Sequence, residues 1–237
     1  MLYPDELRDR LLVVACLAAV LKPVAAMADH PCIARDPVTI DGQEVVASGV
    51  AWPDGKRPSF VGAAISPTER KADRYGRLHG FLLPPGGTEP LQIEWLRQGL
   101  GLADPIGVKT ACAEALLAAE AEARAAKRGV WRRMRIERAD DRSLSRRRAD
   151  TFAIVEGRVV SVGDRARSIY LNFGTFWRQD FTVQIGKRDL KRHPELLARL
   201  VRAEGRTVRV RGRLTERDGP YMRVRDAGQI EFREEQP

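Results

Sequence analysis

Apolar and charged residues alternate with period two along residues 207–214 (TVRVRGRL), placing Val208 and Val210 on one face of a strand and Arg209, Arg211 and Arg213 on the other. Residues 221–225 (YMRVR) repeat the scheme, with Met222 and Val224 inward and Tyr221, Arg223 and Arg225 outward. If the two strands pair, their outer face is an arginine sheet edged by Tyr221. Residues 152–162, 168–173 and 181–185 also alternate like half-buried strands, and 187–203 read as a helix split by Pro194.

In the first half, 38–50 (VTIDGQEVVASGV) predict a β-hairpin turning at Asp41-Gly42. Residues 60–65 and 77–83 predict two strands, the second launched from Tyr75-Gly76 and ended by Pro84-Pro85-Gly86-Gly87. Thr88 predicts an N-cap, with Glu89 and Pro90 in the first turn. Leu91, Trp95 and Leu96 share one face of that helix, and Gly99 stops it. Thr110 is expected to cap a longer alanine-rich helix that Gly129 ends, with Trp131 folding back onto the core. Residues 132–150 (RRMRIERADDRSLSRRRAD) read as a charged linker with few apolar anchors.

Three strands, a helix and two strands in 151–237 give the element order of a five-stranded OB-fold, a barrel suited to single-stranded nucleic acid or oligosaccharide. The expected organisation is therefore mainly β within an α+β class: a domain over 29–131, a basic linker over 132–150, and an OB-like domain over 151–237.

Residues 1–28 read as an export signal. Arg8 and Arg10 precede an apolar run over 11–21, too short to span a bilayer. Ala26-Met27-Ala28 then supplies the small-x-small pattern of a cleavage site, so the mature chain is expected to start near Asp29 in the periplasm or outside the cell. No other segment is long and apolar enough to cross a membrane. Cleavage removes Cys16 and leaves Cys32 and Cys112. Pairing them in an oxidising compartment would close a loop of about 80 residues, worth on the order of 4 kcal/mol; two unrelated buried thiols are the alternative. Three His, with neither C-x-x-C nor H-E-x-x-H, make no case for zinc.

Charge sharpens the picture. The chain has 237 residues and a formal net charge of +9, a length that suits one large or two small domains. Residues 124–150 hold 11 Lys and Arg against 4 Asp and Glu, and 151–237 hold 18 against 12, while 1–123 hold 12 against 16. The positive field belongs to the middle and C-terminal half, the footprint of a polyanion binder. A solvated arginine-rich surface is the plain alternative.

Three motifs occur in one order: Asp73-Arg74-Tyr75-Gly76-Arg77, then 91–102 (LQIEWLRQGLGL), then 120–131 (EAEARAAKRGVW). Over roughly residues 36–131 this order resembles the staphylococcal-nuclease-like (thermonuclease) family. The resemblance implies an OB-type barrel carrying three helices and cleaving phosphodiesters with calcium, two arginines and several carboxylates. Arg77 falls on an arginine that contacts the scissile phosphate. The rest of the site is degenerate in 46–54 (VASGVAWPD). There Val46 stands where the second arginine is expected, Ala51 replaces a metal-binding aspartate, and Asp54 takes the place of a general-base glutamate. Asp36 is the counterpart of the first metal aspartate, at a spacing about one residue short.

Losing one preorganised charge stabiliser typically costs about 10²–10³ in rate, and here an arginine and a calcium ligand are both missing. The expectation is an exported nucleic-acid binder with little or no hydrolysis and no cofactor. Calcium at Asp36 and Asp54 enters only if a nuclease site survives, with Asp54 and Arg77 as its catalytic pair. The rivals are a calcium-dependent nuclease using Asp36, Asp41 and Asp54 around Arg77, and a cell-envelope module binding protein or glycan. For Arg77 the plain alternative is a turn-closing salt bridge to Asp73.

The second half resembles OB-like modules appended to bacterial thermonuclease homologues, through 170–174 (YLNFG) and 180–183 (DFTV). Tyr170, Asn172, Trp177 and Arg178 around that hairpin are expected to join Arg209, Arg211, Arg213, Tyr221, Arg223 and Arg225 in nucleic-acid contact, because basic groups plus exposed aromatics serve non-specific single-strand binding. A place in a loop closing the barrel core is the alternative for Trp177 and the expectation for Phe176.

Overall fold

The computed structural model describes residues 30–33, 37–40, 42, 44–53, 55–60, 62–176, 178–191 and 193–233. The expected export signal, Cys16, Asp36, Asp41, Asp54 and Trp177 lie outside the described residues. The described chain is of the α+β class: four helices and mostly strands, none of the helices long and apolar enough to cross a membrane.

Four short strands come first, β1 (Val38–Thr39), β2 (Val45–Ala47), β3 (Val50–Ala51) and β4 (Ala64–Pro67), followed by β5 (Leu78–Leu83). The predicted hairpin over 38–50 does not form. β1 pairs antiparallel with β4, while β2 lies parallel to β5. The reason lies in β5, where Phe81, Leu82 and Leu83 are all buried. A strand buried on both faces takes a neighbour on each edge, and β4 and β2 fill those places.

Helix α1 (Leu91–Gln98) starts after Pro90 with no side-chain cap, later than Thr88 suggested. Proline disfavours helical geometry in the residue before it, which keeps Glu89 out. β6 (Leu102–Ala103) pairs with β3. Helix α2 (Thr110–Ala125) likewise has no side-chain cap and stops four residues short of Gly129, which instead opens a 3-10 turn over Gly129–Arg132. Gly99 and Gly129 touch: a Cβ on Gly129 would lie 2.1 Å from the Gly99 carbonyl oxygen. Cys32 and Cys112 form a disulfide, Cα–Cα 4.6 Å, tying the start of the described chain to α2.

Residues 132–150 are folded rather than a free connector. β7 (Glu137–Arg138) runs parallel to β8 (Phe152–Arg158), and α3 (Leu144–Arg148) buries Leu144. Glu137 is buried because Arg147 and Arg148 both donate to it, at 3.0 and 2.7 Å. Local charge pairing supplied anchors that an apolar count misses.

Then come β9 (Ser161–Asp164), β10 (Ser168–Asn172), β11 (Thr182–Gly186), α4 (Pro194–Val201), β12 (Thr207–Glu216), β13 (Pro220–Val224) and β14 (Ile230–Arg233). The sheet runs β7-β8-β12-β13-β11-β10-β9, with β14 also on β12 and β11 parallel to β13. The predicted strand over 152–162 breaks into β8 and β9 at Val159-Val160. There the Val159 N–H bonds Arg206 and the Val160 N–H bonds Asn172. Val208, Val210, Met222 and Val224 point into the main core with Ile169, Leu171, Val183 and Ile185. A smaller cluster joins the two halves: Leu102, Ala123 and Trp131 from the first pack with Ile154 of β8.

Candidate nucleic-acid interface

The outer face of the second sheet divides into two regions of different character. On β10, β11 and β13 the outward series is Ser168, Tyr170 and Asn172, then Thr182 and Gln184, then Tyr221 and Arg223. In register, Tyr170 lies opposite Gln184, itself opposite Arg223, and Asn172 opposite Thr182, itself opposite Tyr221. Gly163 of β9 lies opposite Tyr170 and leaves space beside it. The result is a cleft of about 530 Å³ lined by Tyr170, Asn172, Thr182 and Tyr221, with Gly163, Arg165, Arg217 and Asp218 at its edges.

Gln184 organises the floor of this face. Its Nε2 donates to Tyr170 Oη and Ser168 Oγ, both at 3.1 Å, and its Oε1 accepts from Tyr221 Oη. Burial raises the Tyr221 pKa, keeping the phenol protonated and donating. The Arg217 guanidinium lies 5.4 Å from the Tyr221 ring centre. Arg165, Arg217, Arg223 and Arg225 are exposed, as is Arg178. Phe176, expected in the core, is 68% exposed on the β10–β11 loop. That loop adjoins the β12–β13 turn, where a Cβ on Gly219 would lie 3.2 Å from the Arg178 carbonyl. The arrangement offers aromatic faces, amide and hydroxyl groups, and a basic rim.

Sequence reasoning missed Arg165, Thr182, Gln184 and Arg217. Thr182 and Gln184 were readable as the polar members of the alternating run over 181–185, and Arg217-Asp218-Gly219 as the turn between two strands.

The other region holds Arg209 and Arg211, and it is covered. Arg211 is 1% exposed and reaches across to the first half: Nη1 donates to Glu120 of α2 at 2.7 Å and to the Ala103 carbonyl at 3.2 Å, and Nη2 donates to Glu231 at 2.7 Å. Glu120 is fully buried and also accepts from the Ala103 N–H at 2.9 Å. Burial works against the Arg211 charge, but Glu120 and Glu231 outweigh it and raise its pKa. Arg209 pairs with Glu156 at 2.6 Å. The β12 part of the expected arginine sheet is thus covered, Arg209 by carboxylates of its own half and Arg211 by the junction between the halves. Arg213 alone of that trio is exposed, 3.2 Å from Asp150.

The Asp73–Arg77 turn forms a third feature. One Asp73 oxygen accepts the backbone N–H groups of Tyr75 and Arg77; the other takes Arg77 Nε at 2.9 Å and Nη2 at 2.8 Å, and faces His79 Nε2 at 3.0 Å. The His79 contact, then the Arg77 and backbone bonds, hold the Asp73 carboxyl well below its ordinary range. Tyr75 is 64% exposed between Arg74 and Arg77, whose guanidiniums lie 4.7 and 5.0 Å from its ring centre. Val46 sits opposite His79, and Ala51 opposite Leu102. Among the described residues no group of three or more His, Cys, Asp or Glu side chains converges as a metal site would need.

The other motif residues have structural employment. Glu120 anchors Arg211, the Arg124 guanidinium lies 5.6 Å from the Trp131 ring centre, and Gly99 packs on Gly129. No known family model matches the chain, and a search of the curated proteins returns no match either.

Proposed function

We propose that this chain is an exported, thermonuclease-like protein that binds single-stranded nucleic acid through the cleft on β9, β10, β11 and β13, with little or no hydrolysis. The observation carrying this reading is the cleft itself: Tyr170 and Tyr221 locked by Gln184, Asn172 and Thr182 beside them, and Arg165, Arg217 and Arg223 around the rim. Bases stack on aromatic faces at about 1–3 kcal/mol each, and arginines track the phosphates. We assign the second half to the OB type. Support comes from the parallel β11–β13 pair and from β8 running on into β9, so that consecutive segments border both ends of the sheet path. The Cys32–Cys112 disulfide suits an exported chain. Against hydrolysis stand Val46 and Ala51 where an arginine and a metal ligand would be needed, and an Arg77 already bonded to Asp73.

The test is fluorescence anisotropy of a labelled single strand titrated with the full chain at several salt concentrations. Binding is expected to weaken steeply with salt, because neutralised phosphates release counterions. A flat salt dependence, or no binding at low salt, contradicts the reading. A parallel cleavage assay with calcium and with chelator is expected to show no turnover. Calcium-stimulated cleavage lost in Arg77→Ala would establish a nuclease instead.

A further inference from the structure

Helices α1 and α2 end in the same hydrogen-bond pattern but with different residues at its left-handed position. In α1 the Gly99 N–H bonds Leu96 and the Leu100 N–H bonds Trp95, with Gly99 at φ 72°. In α2 the Lys127 N–H bonds Arg124 at 3.1 Å and the Arg128 N–H bonds Ala123 at 2.8 Å, with Lys127 at φ 52°. Glycine takes this position without strain, whereas a side chain meets backbone atoms there. A strained residue that persists invites a functional account. The negative end of the α2 dipole favours a cation nearby, but any flanking position would serve, and the dipole fades before Arg132 and Arg133.

Lys127, Arg132 and Arg133 are all exposed, and among the described residues none has a carboxylate within ion-pairing distance. Of the described cations around them, Arg97, Arg124, Arg138, Arg147 and Arg148 are paired with carboxylates, whereas Arg128 and Arg135 donate only to the Arg97 and Met134 carbonyls. The turn that follows Lys127 and leads into Arg132 and Arg133 is also held by packing. Trp131 is buried, the Val130 N–H bonds the Gly99 carbonyl at 2.8 Å, and the Gly99–Gly129 contact admits no side chain. Three uncompensated cations on or beside a clamped turn, with the adjacent aromatic ring buried, suit a phosphate backbone rather than bases.

We propose that Lys127, Arg132 and Arg133 form a second phosphate-contacting surface, which grips the backbone of a strand too long for the cleft alone; the proposal rests on the single-strand reading above. The full chain, disulfide intact, is compared with Lys127→Gly and with the double variant R132A/R133A. The probes are labelled oligothymidylates of about 6 and about 30 nucleotides, the first within and the second well beyond the site size of one OB-type barrel, titrated between about 50 and 200 mM salt. For the long strand, the slope of log affinity against log salt is expected to fall by about 0.7 in Lys127→Gly and by about 1.4 in the double variant, at about 0.7 per lost single-strand phosphate contact. Affinity for the short strand should not change. Lys127→Gly should also melt higher than the parent, so that stability and binding move in opposite directions.

Unchanged long-strand slopes in both variants would overturn the proposal while leaving the cleft reading intact, provided the short strand still binds. No binding of either strand by the parent chain would overturn both. Binding to anionic phospholipid vesicles that the double variant abolishes, with long-strand slopes unchanged, would assign the surface to a membrane and also overturn the proposal.

Discussion

Replacing Arg211 with alanine removes three contacts from the junction at once. Glu120, fully buried, loses its 2.7 Å partner and keeps the Ala103 N–H and, at 3.9 Å, Arg124. The Ala103 carbonyl and Glu231 lose their bonds too. Breaking a buried pair by deleting one member costs about 3–5 kcal/mol, because the remaining charge stays desolvated, and total stability is only about 5–15 kcal/mol. With a urea m-value of about 3 kcal/mol/M for a chain of this size, the midpoint should drop by about 1–2 M. Intrinsic fluorescence and circular dichroism should report one shared transition in the parent chain, because the Trp131–Ile154 cluster and the ion pair join the halves. The double variant Arg211→Met with Glu120→Leu should lose less than the sum of its singles, since removing both charges also removes the desolvation penalty. A drop below about 0.3 M for Arg211→Ala, or additive singles, would refute the reasoning.

Burial, reinforced by Asp226 and opposed by the Ile106 N–H and Arg211, raises the Asp104 pKa above its ordinary 3.8, and its Oδ1 is buried without a hydrogen-bond partner. A raised carboxyl pKa destabilises the folded chain above that pKa, and the penalty disappears as pH falls below the unfolded value. Asp104→Asn should therefore unfold at higher urea than the parent near neutral pH, with the gap closing towards pH 3.8; a gap independent of pH would contradict this. Gly129→Ala places a Cβ 2.1 Å from a carbonyl oxygen at φ 51°. It should cost about 2 kcal/mol or more, lowering the melting temperature by roughly 4–8 °C, and an unchanged melt would remove the clamp from the account.

The sequence pattern settled which residues of β12 face inward, because period two is a property of the strand alone. It said nothing of what covers the outward residues. Arg211 looked solvent-facing because its partner Glu120 lies 91 positions away in a helix whose own pattern gives no hint of it. The same blindness to distant partners turned 38–50 into a hairpin, when the burial of Phe81–Leu83 recruits β2 elsewhere. Phe176 was expected in a loop closing the barrel core, but the loop geometry leaves it exposed. Gly99, Gly129 and Trp131 were legible as punctuation, yet only coordinates reveal that two of them are in contact. For the cleft, Tyr170, Asn172 and Tyr221 were readable on local alternation, whereas Gln184 acquires its role from a register linking three strands.

The most direct measurement is photo-crosslinking of a single strand bearing 4-thiouridine to the full chain, with the attached peptides identified by mass spectrometry. The account predicts attachment in 161–172 and 217–225, around Tyr170 and Tyr221, and its loss in Tyr170→Ala. Attachment confined to 73–79, around Tyr75 and Arg77, with none on the second half, would contradict it.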